Sequence, residues 1–173
     1  MLDPFGTAAD RFRLPATGPT DDMHPGWPES TPFVRLPASA VFPSGARMRL
    51  RPLLRSDGHE WRRQRIEDES FLRSVEPTQA APWAAAHSQQ AWWNHLMYLR
   101  TAAREALVVP LVIEVEGQFV GQITLGNIQH GSIRDCWIGY WVYSAIHGAG
   151  VATAATALGV DHAFGRVGLH RVT

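Results

Sequence analysis

The sequence predicts an α/β domain, a sheet with covering helices, whose elements run β-α-α-β-β-β-α-β. Three observations carry this. Met48, Leu50 and Pro52 alternate with arginines, and apolar, β-branched and aromatic runs fill most of 108–142. Between these strand signals, Trp92, Leu96 and Leu99 recur at helical spacing. After them, a Gly-x-Gly turn at Gly148 and Gly150 opens a helix of small residues.

Residues 1–46 read as a proline-rich N-terminal arm. Eight of the 12 prolines fall here, and proline removes backbone donors and fixes φ, so neither helix nor sheet is expected to propagate. The arm is expected to be extended and partly disordered at its beginning, with Trp27, Phe33, Val34, Val41 and Phe42 able to dock on the domain. Residues 47–173 read as the domain. Its first strand covers Arg49 and Arg51 and their apolar neighbours. Ser56 or Asp57 can cap a helix to about Glu67, with Glu60 placed to help. A loop with Pro77 and Pro82 follows, and Ser88 caps a second helix to about Arg104.

Val108 to Val115 is a nearly continuous apolar strand, Glu116-Gly117 supports a tight turn, and Gln118 to Ile128 forms the next strand. Gly131 breaks the chain before a third strand from about Ile133 to Val142. A helix from Val151 to about Val167 carries Ala152, Ala154, Ala155, Ala157 and Gly159, small enough to lie close to a sheet. Leu169 to Thr173 opens another strand.

Composition narrows the function classes. The chain has 173 residues and 45% hydrophobic side chains, enough for one domain with a core. Its 16 basic and 16 acidic residues balance, so the chain has no built-in pull toward nucleic acid or an anionic membrane, with a local patch of the arginines between Arg47 and Arg65 the one alternative. All the basic residues are arginine. Those from Arg47 to Arg65 read as solvated faces of a strand and a helix. Cys136 is the one cysteine, so an internal disulfide is impossible and a thiolate zinc site implausible; it reads as a small core residue. There is no secretory leader pattern and no membrane-span-length apolar run, so a cytoplasmic protein is the expectation.

The chemistry concentrates between Trp137 and Thr153: a strand, a glycine-bearing turn, then a helix start. Glycines at 148 and 150 permit backbone shapes closed to other residues and leave the amides approachable. Those amides are the unpaired donors of a helix N-terminus, where the dipole adds positive potential, so an anion, above all a phosphate, is the natural guest. The pattern lacks the Lys-Ser/Thr ending of a Walker loop, and the third glycine and downstream acid of a Rossmann loop. A plain strand-to-helix connection explains the turn alone equally well.

Gly139-Tyr140-Trp141-Val142, followed by His147-Gly148-Ala149-Gly150-Val151-Ala152-Thr153, resembles the pyrophosphate-binding strand and loop of GNAT N-acetyltransferases. The closer likeness is to the RimJ/RimL group of ribosomal-protein alanine N-acetyltransferases. That family's loop reads Gln/Arg-x-x-Gly-x-Gly/Ala; here His147 stands first. Arg49-Leu50-Arg51-Pro52 is similar to the family's first strand and Val120-Gly121-Gln122-Ile123 to its central hairpin strand. Asp161-His162-Ala163-Phe164 and Gly168-Leu169-His170-Arg171-Val172 are similar to the end of its cofactor helix and the strand after it. The resemblance spans 47–173 and implies the GNAT-type mixed sheet.

What the resemblance implies is an acetyl-CoA-dependent N-acetyltransferase that uses acetyl-CoA as cosubstrate and no metal. The acceptor amine attacks the acetyl carbonyl directly, without a protein nucleophile. The implied cofactor-binding residues are Trp141, Val142, Tyr143, His147, Gly148, Ala149, Gly150, Val151, Ala152 and Thr153. The loop amides hold the pyrophosphate, and amides near Trp141 to Tyr143 face the pantetheine and acetyl group as an oxyanion hole. A neutral His147 offers one ring donor and a charged one offers two.

The implied acceptor is a protein N-terminal amine, such as that of a ribosomal protein. A small-molecule amine, or a non-catalytic acyl-CoA-binding module, stays open beside it, as does a homo-oligomer. No side chain is assigned as catalytic. Asp135 sits several residues before the expected acetyl position, Glu114 and Glu116 read as hairpin surface charges, and Tyr140 and Tyr143 as donors or core. Phe71 to Leu99, with Trp83, Trp92 and Trp93, is implied to border the acceptor groove, although core packing is the commoner reading of these aromatics. Relatives continue with a further helix and two strands bearing residues near the cofactor sulfur. The resemblance therefore implies a C-terminally truncated domain that belongs to a longer chain or leans on a second copy.

Overall fold

The computed structural model describes residues 26–77 and 80–173. Six strands form one sheet in sequence order: β1 (Val34–Leu36), β2 (Ala46–Pro52), β3 (Val109–Val115), β4 (Gln118–Gln129), β5 (Asp135–Val142) and β6 (Arg171–Val172). Neighbours are antiparallel except β5 and β6, which run parallel, so the sheet is mixed as expected. The helices are α1 (Gly58–Glu67), α2 (Glu69–Leu72), α3 (Trp83–Ala86), α4 (Gln89–Arg104) and α5 (Val151–His162).

Strand alternation sorts the core into two layers. On one face Leu111, Ile113, Ile123 and Leu125 meet Ala154, Ala155 and Leu158 of α5. On the other, Val112 and Phe119 meet Trp61 of α1 and Trp92, Leu96 and Leu99 of α4. The spacing of those last three residues had predicted their shared inward face. The small residues of α5 act as expected: a Cβ on Gly159 would come within 2.9 Å of Ile123 Cδ1 and 3.1 Å of Ile138 Cδ1. Cys136 is 3% exposed, and burial, with Asp135 beside it, pushes its thiol up to about 11, as suits a core residue.

The structure corrects several expectations. β1 is an additional strand, drawn from the proline-rich arm. Pro32 and Pro37 bracket its three residues rather than interrupt them, and it lies at the sheet's edge, pairing only with β2. Trp27 of the arm docks as expected, and Glu29 docks beside it. Glu29 receives Arg166 through Nε at 2.6 Å and Nη2 at 2.9 Å, and Trp27 packs on the larger core. The disorder expected for the arm's beginning falls on residues 1–25, outside the described residues.

Arg51 and Arg65 are buried, not solvated. Arg51 grips Asp57 with two bonds of 2.9 and 2.7 Å and Glu114 with one of 2.5 Å. Glu114 is accordingly no surface charge; burial alone would raise its pKa, but Arg49 and Arg51 hold it below the usual carboxylate range. Asp57, spent on Arg51 and on the Leu54 amide, makes no cap bond to α1, and Glu60 turns to Arg63. The expected cap on α4 is present: Ser88 accepts from the Ala91 amide at 3.1 Å.

Candidate functional site

β5 delivers the chain to α5 through a short 3-10 turn, Ser144–Ile146, and then the glycine-bearing loop. Gly150 takes a left-handed conformation, φ 77° and ψ 5°, and no side chain caps the helix. The first intrahelical bond is Ala154 N–H to Gly150 C=O, 3.0 Å. The amides of Val151, Ala152 and Thr153 therefore precede the helical ladder, and these three residues border a cleft of about 750 Å³. The wall across from them holds the apolar Phe71, Leu72 and Val75, at and after α2, followed by Glu76.

Buried Asp68, between α1 and α2, holds that wall to the loop. It accepts the Ser144 amide at 2.8 Å and the Ser144 hydroxyl at 2.5 Å. One residue earlier, Tyr143 donates its hydroxyl to Glu67 and accepts from Arg63 at 3.2 Å. The Glu67 bond, foremost, pushes the Tyr143 phenol upward.

Of the ten residues implied to hold the cofactor, Trp141, Val142, His147, Gly148, Gly150, Val151, Ala152 and Thr153 line this cleft. Ala149, 2% exposed, points into the core and anchors the loop from beneath. Tyr143 does not line the cleft, and its amide is spent on Val120 C=O at 2.9 Å. Antiparallel alternation therefore turns the Trp141 and Tyr143 amides toward β4, and those of Tyr140 and Val142 toward the other edge of β5. Ile138 shows the same parity: its amide reaches Thr173 C=O on that edge at 2.9 Å. His147 spends Nε2–H on Val142 C=O at 2.9 Å, and Phe71 meets the ring edge-on at 5.3 Å. Its role in the structure is to brace the strand end.

A second cavity of about 330 Å³ lies on the α1–α4 side of Trp141. Trp61, Arg65, His87, His95 and Gln122 line it, and Glu76 and Trp141 line both cavities. Glu76 is ion-paired with Arg65. Trp61, Trp83 and Trp141 surround the Arg65 guanidinium at 5.7, 5.6 and 5.2 Å. Its buried Nε has no hydrogen-bond partner, and the indole faces add to the Glu76 carboxylate in its surroundings. Burial pushes both histidines below their ordinary value.

Trp92 and Trp83 prove to be core, at 0% and 4% exposure, whereas Trp93 is on the surface. The aromatics in contact with the second cavity are Trp61 and Trp141. Asp135 stands at the far end of β5, paired with Arg171 at 3.7 Å. Among the described residues, no three His, Cys, Asp or Glu side chains converge as a metal site. No described helix is long and apolar enough to cross a membrane.

Glu76 and His95 fall within the stretch from Phe71 to Leu99 implied to border the acceptor groove, but the sequence alone singled out neither them nor Gln122. His95 carried a signal: at three residues after Trp92 and four before Leu99, it is a polar side chain on an apolar stripe.

The family profile described as an acetyltransferase (GNAT) domain matches residues 47–173. RimJ from Mycobacterium smegmatis, solved in complex with CoA-disulfide, superposes with a TM-score of 0.80 and 43% identity, covering 87% of this chain and 68% of that one. The ribosomal-protein-S5-alanine acetyltransferase from Vibrio fischeri shares the fold, with a TM-score of 0.64 and 20% identity over 72% of this chain and 68% of its own. A probable N-acetyltransferase of Bacillus subtilis, YjcK, is 35% identical over 57 residues. That match spans 33% of this chain and 32% of the relative, about a third of its length.

Proposed function

The chain belongs to the GNAT acetyltransferase family, and from that premise we propose that it transfers the acetyl group of acetyl-CoA to the N-terminal amine of a protein, a ribosomal protein being the leading acceptor. The observation that carries this reading is the uncapped start of α5, whose Val151, Ala152 and Thr153 amides border the large cleft. The pyrophosphate of acetyl-CoA rests on these amides, with Gly148 and Gly150 giving it room. The pantetheine follows β5 past Val142 and Tyr140, whose outward amides polarise the acetyl carbonyl as negative charge develops.

His147, Ala149 and Tyr143 serve this reading by fixing the loop and the strand end. The acceptor enters from the second cavity, so the amine meets the acetyl group beside Trp141 and Glu76, where the cavities adjoin. The reaction belongs in the cytoplasm, where acetyl-CoA meets newly made protein N-termini.

Two glycines give the test. Gly150 and Gly117 have nearly the same backbone, φ 77° and 78°, and a Cβ on either would meet nothing within 4 Å. Gly150→Val and Gly117→Val thus carry a similar backbone strain, one in the cleft and one in the β3–β4 turn. Calorimetry with CoA is expected to lose binding only for Gly150→Val. Equal affinity in both variants would remove the loop from the site. Thiol release with peptide N-termini and small amines then identifies the acceptor. Turnover confined to small amines would replace the protein acceptor, and CoA binding without turnover on any amine would leave a binding module.

A further inference from the structure

In the second cavity, His95 on α4 meets Gln122 on β4, Nε2 to Oε1, at 3.2 Å. The Gln122 amide nitrogen is committed to Thr124 Oγ1 at 3.3 Å, so its oxygen faces the imidazole. An oxygen acceptor requires the ring proton on Nε2, which leaves the lone pair of the neutral ring on Nδ1. Trp61 stacks on the ring, centroids 5.6 Å apart and planes 23° from parallel, and sets its plane. Gln122 stands directly opposite Trp141 in the β4–β5 ladder, so the imidazole is one side chain away from the strand that bounds both cavities.

We propose that His95 is the catalytic base of the acetyl transfer, accepting through Nδ1 the proton of the acceptor ammonium, while the Glu76 carboxylate holds that ammonium where the cavities adjoin. This rests on the acetyltransferase reading above. The ammonium gives one proton to Nδ1. The freed nitrogen lone pair bonds to the acetyl carbonyl carbon, and the carbonyl electrons move to oxygen. As the carbonyl re-forms, the C–S bond breaks and sulfur leaves with the pair. The second nitrogen proton, now strongly acidic, goes to that sulfur, and CoA departs as a thiol. The Nδ1 proton passes to water, which resets the ring.

The groups around the ring keep it ready for this. Burial lowers its affinity for a proton, the Gln122 bond raises it, Arg65 and His87 lower it, and Glu76 raises it, with a lowered net value. The ring is therefore neutral at neutral pH and protonates only in acid. The other imidazole is placed differently. His87 is 2% exposed, donates Nδ1–H to Trp83 C=O at 2.7 Å, and packs between Trp83 and Trp61 at 4.2 and 5.2 Å.

The test uses the whole chain, acetyl-CoA and a peptide acceptor that the parent protein turns over. His95→Gln is expected to lower kcat by about 100-fold or more, with CoA affinity unchanged. The acidic limb of the parent's kcat profile, lying below about pH 6.5, is expected to disappear with it. His87→Gln is expected to keep that limb. In Gln122→Met, which removes the partner of Nε2, the limb is expected to shift and kcat to fall by about 10-fold.

A His95→Gln enzyme within about 3-fold of the parent, or one that keeps the limb, overturns the proposal. If His95→Gln loses CoA binding through misfolding, Gln122→Met decides, and an unmoved limb there overturns it. A parent protein that binds no CoA, or turns over no amine, overturns the acetyltransferase reading and this proposal together. A parent that acetylates with a limb indifferent to both variants overturns only this one.

Discussion

Two helices of this domain begin in opposite ways. α4 starts at Ser88, whose hydroxyl accepts the Ala91 amide at 3.1 Å. α5 starts at a left-handed Gly150 with no side-chain acceptor, and the residues that bear its first amides border the large cleft. The same four orphan donors exist at any helix start. Where a side chain satisfies one of them, the start contributes stability. Where none does and the site is open to a ligand, the donors and the dipole remain available to an anion. A local cap thus withdraws a donor from binding, and its omission at α5 leaves the first amides available to the phosphate proposed to rest there.

Capping α5 should break the comparison most. Gly150→Asp places a carboxylate where the phosphate is proposed to rest, on a residue type that tolerates the left-handed region better than most. CoA affinity should fall by about 100-fold, or about 2.7 kcal/mol, by calorimetry, while the melting temperature falls no further than in Gly117→Asp, which carries a similar backbone strain. A melting temperature well below that of Gly117→Asp would mean that Gly150 serves the backbone rather than the ligand.

Acid tests the far end of α5. His162 is 1% exposed and donates Nε2–H to Gly26 C=O at 2.6 Å, and burial pushes it below its ordinary value. Above about pH 6.5 both folded and unfolded chains carry it neutral, so its contribution is complete. As pH falls through that value, the unfolded chain takes a proton that the folded chain resists, and stability declines until the folded pKa is reached. The slope from this one group is at most about 1.4 kcal/mol per pH unit. Urea unfolding between pH 8 and 5 checks this. A flat profile would contradict the burial of a neutral His162.

Removing the cap on α4 is the next smaller change. Ser88→Ala should cost about 1 kcal/mol in urea unfolding and leave CoA affinity at the parent's value. A change in affinity would show that the two helix starts are coupled.

The exposed Glu69–Arg73 pair at the start of α2, 2.5 Å, supplies the smallest effect. Glu69→Gln should alter stability by less than about 0.5 kcal/mol, since an i,i+4 pair on the surface is screened by water. A larger loss would show that the short helix walling the cleft depends on that pair.

Much of this was legible in the residues. The apolar spacing of Trp92, Leu96 and Leu99, the Ser88 cap, the Glu116-Gly117 turn and the Gly-x-Gly opening of α5 are local patterns, and each appears in the fold where its spacing placed it. Local chemistry determines such features, because the partners lie within one turn or one hairpin of each other. The short edge strand β1 was not legible. Its proline neighbours argue against a strand, and the argument fails only because β2 is beside it to pair with. Arg51 and Arg65 read as solvated because their carboxylates, Glu114 and Glu76, and the indoles around Arg65 arrive from other parts of the chain.

The direction of the β5 amides and the duty of His147 likewise had to await the register of the ladder, since one step along a strand reverses which edge an amide serves. The sequence by itself determined the two helix starts, one capped and one open, because a cap and a glycine turn are decided within a few residues. Only the tertiary structure decided that the open start faces the wall held by Asp68, and that Glu76, His95 and Gln122 gather beside Trp141. Those meetings join residues distant along the chain, and packing alone sets which side chains share a cavity.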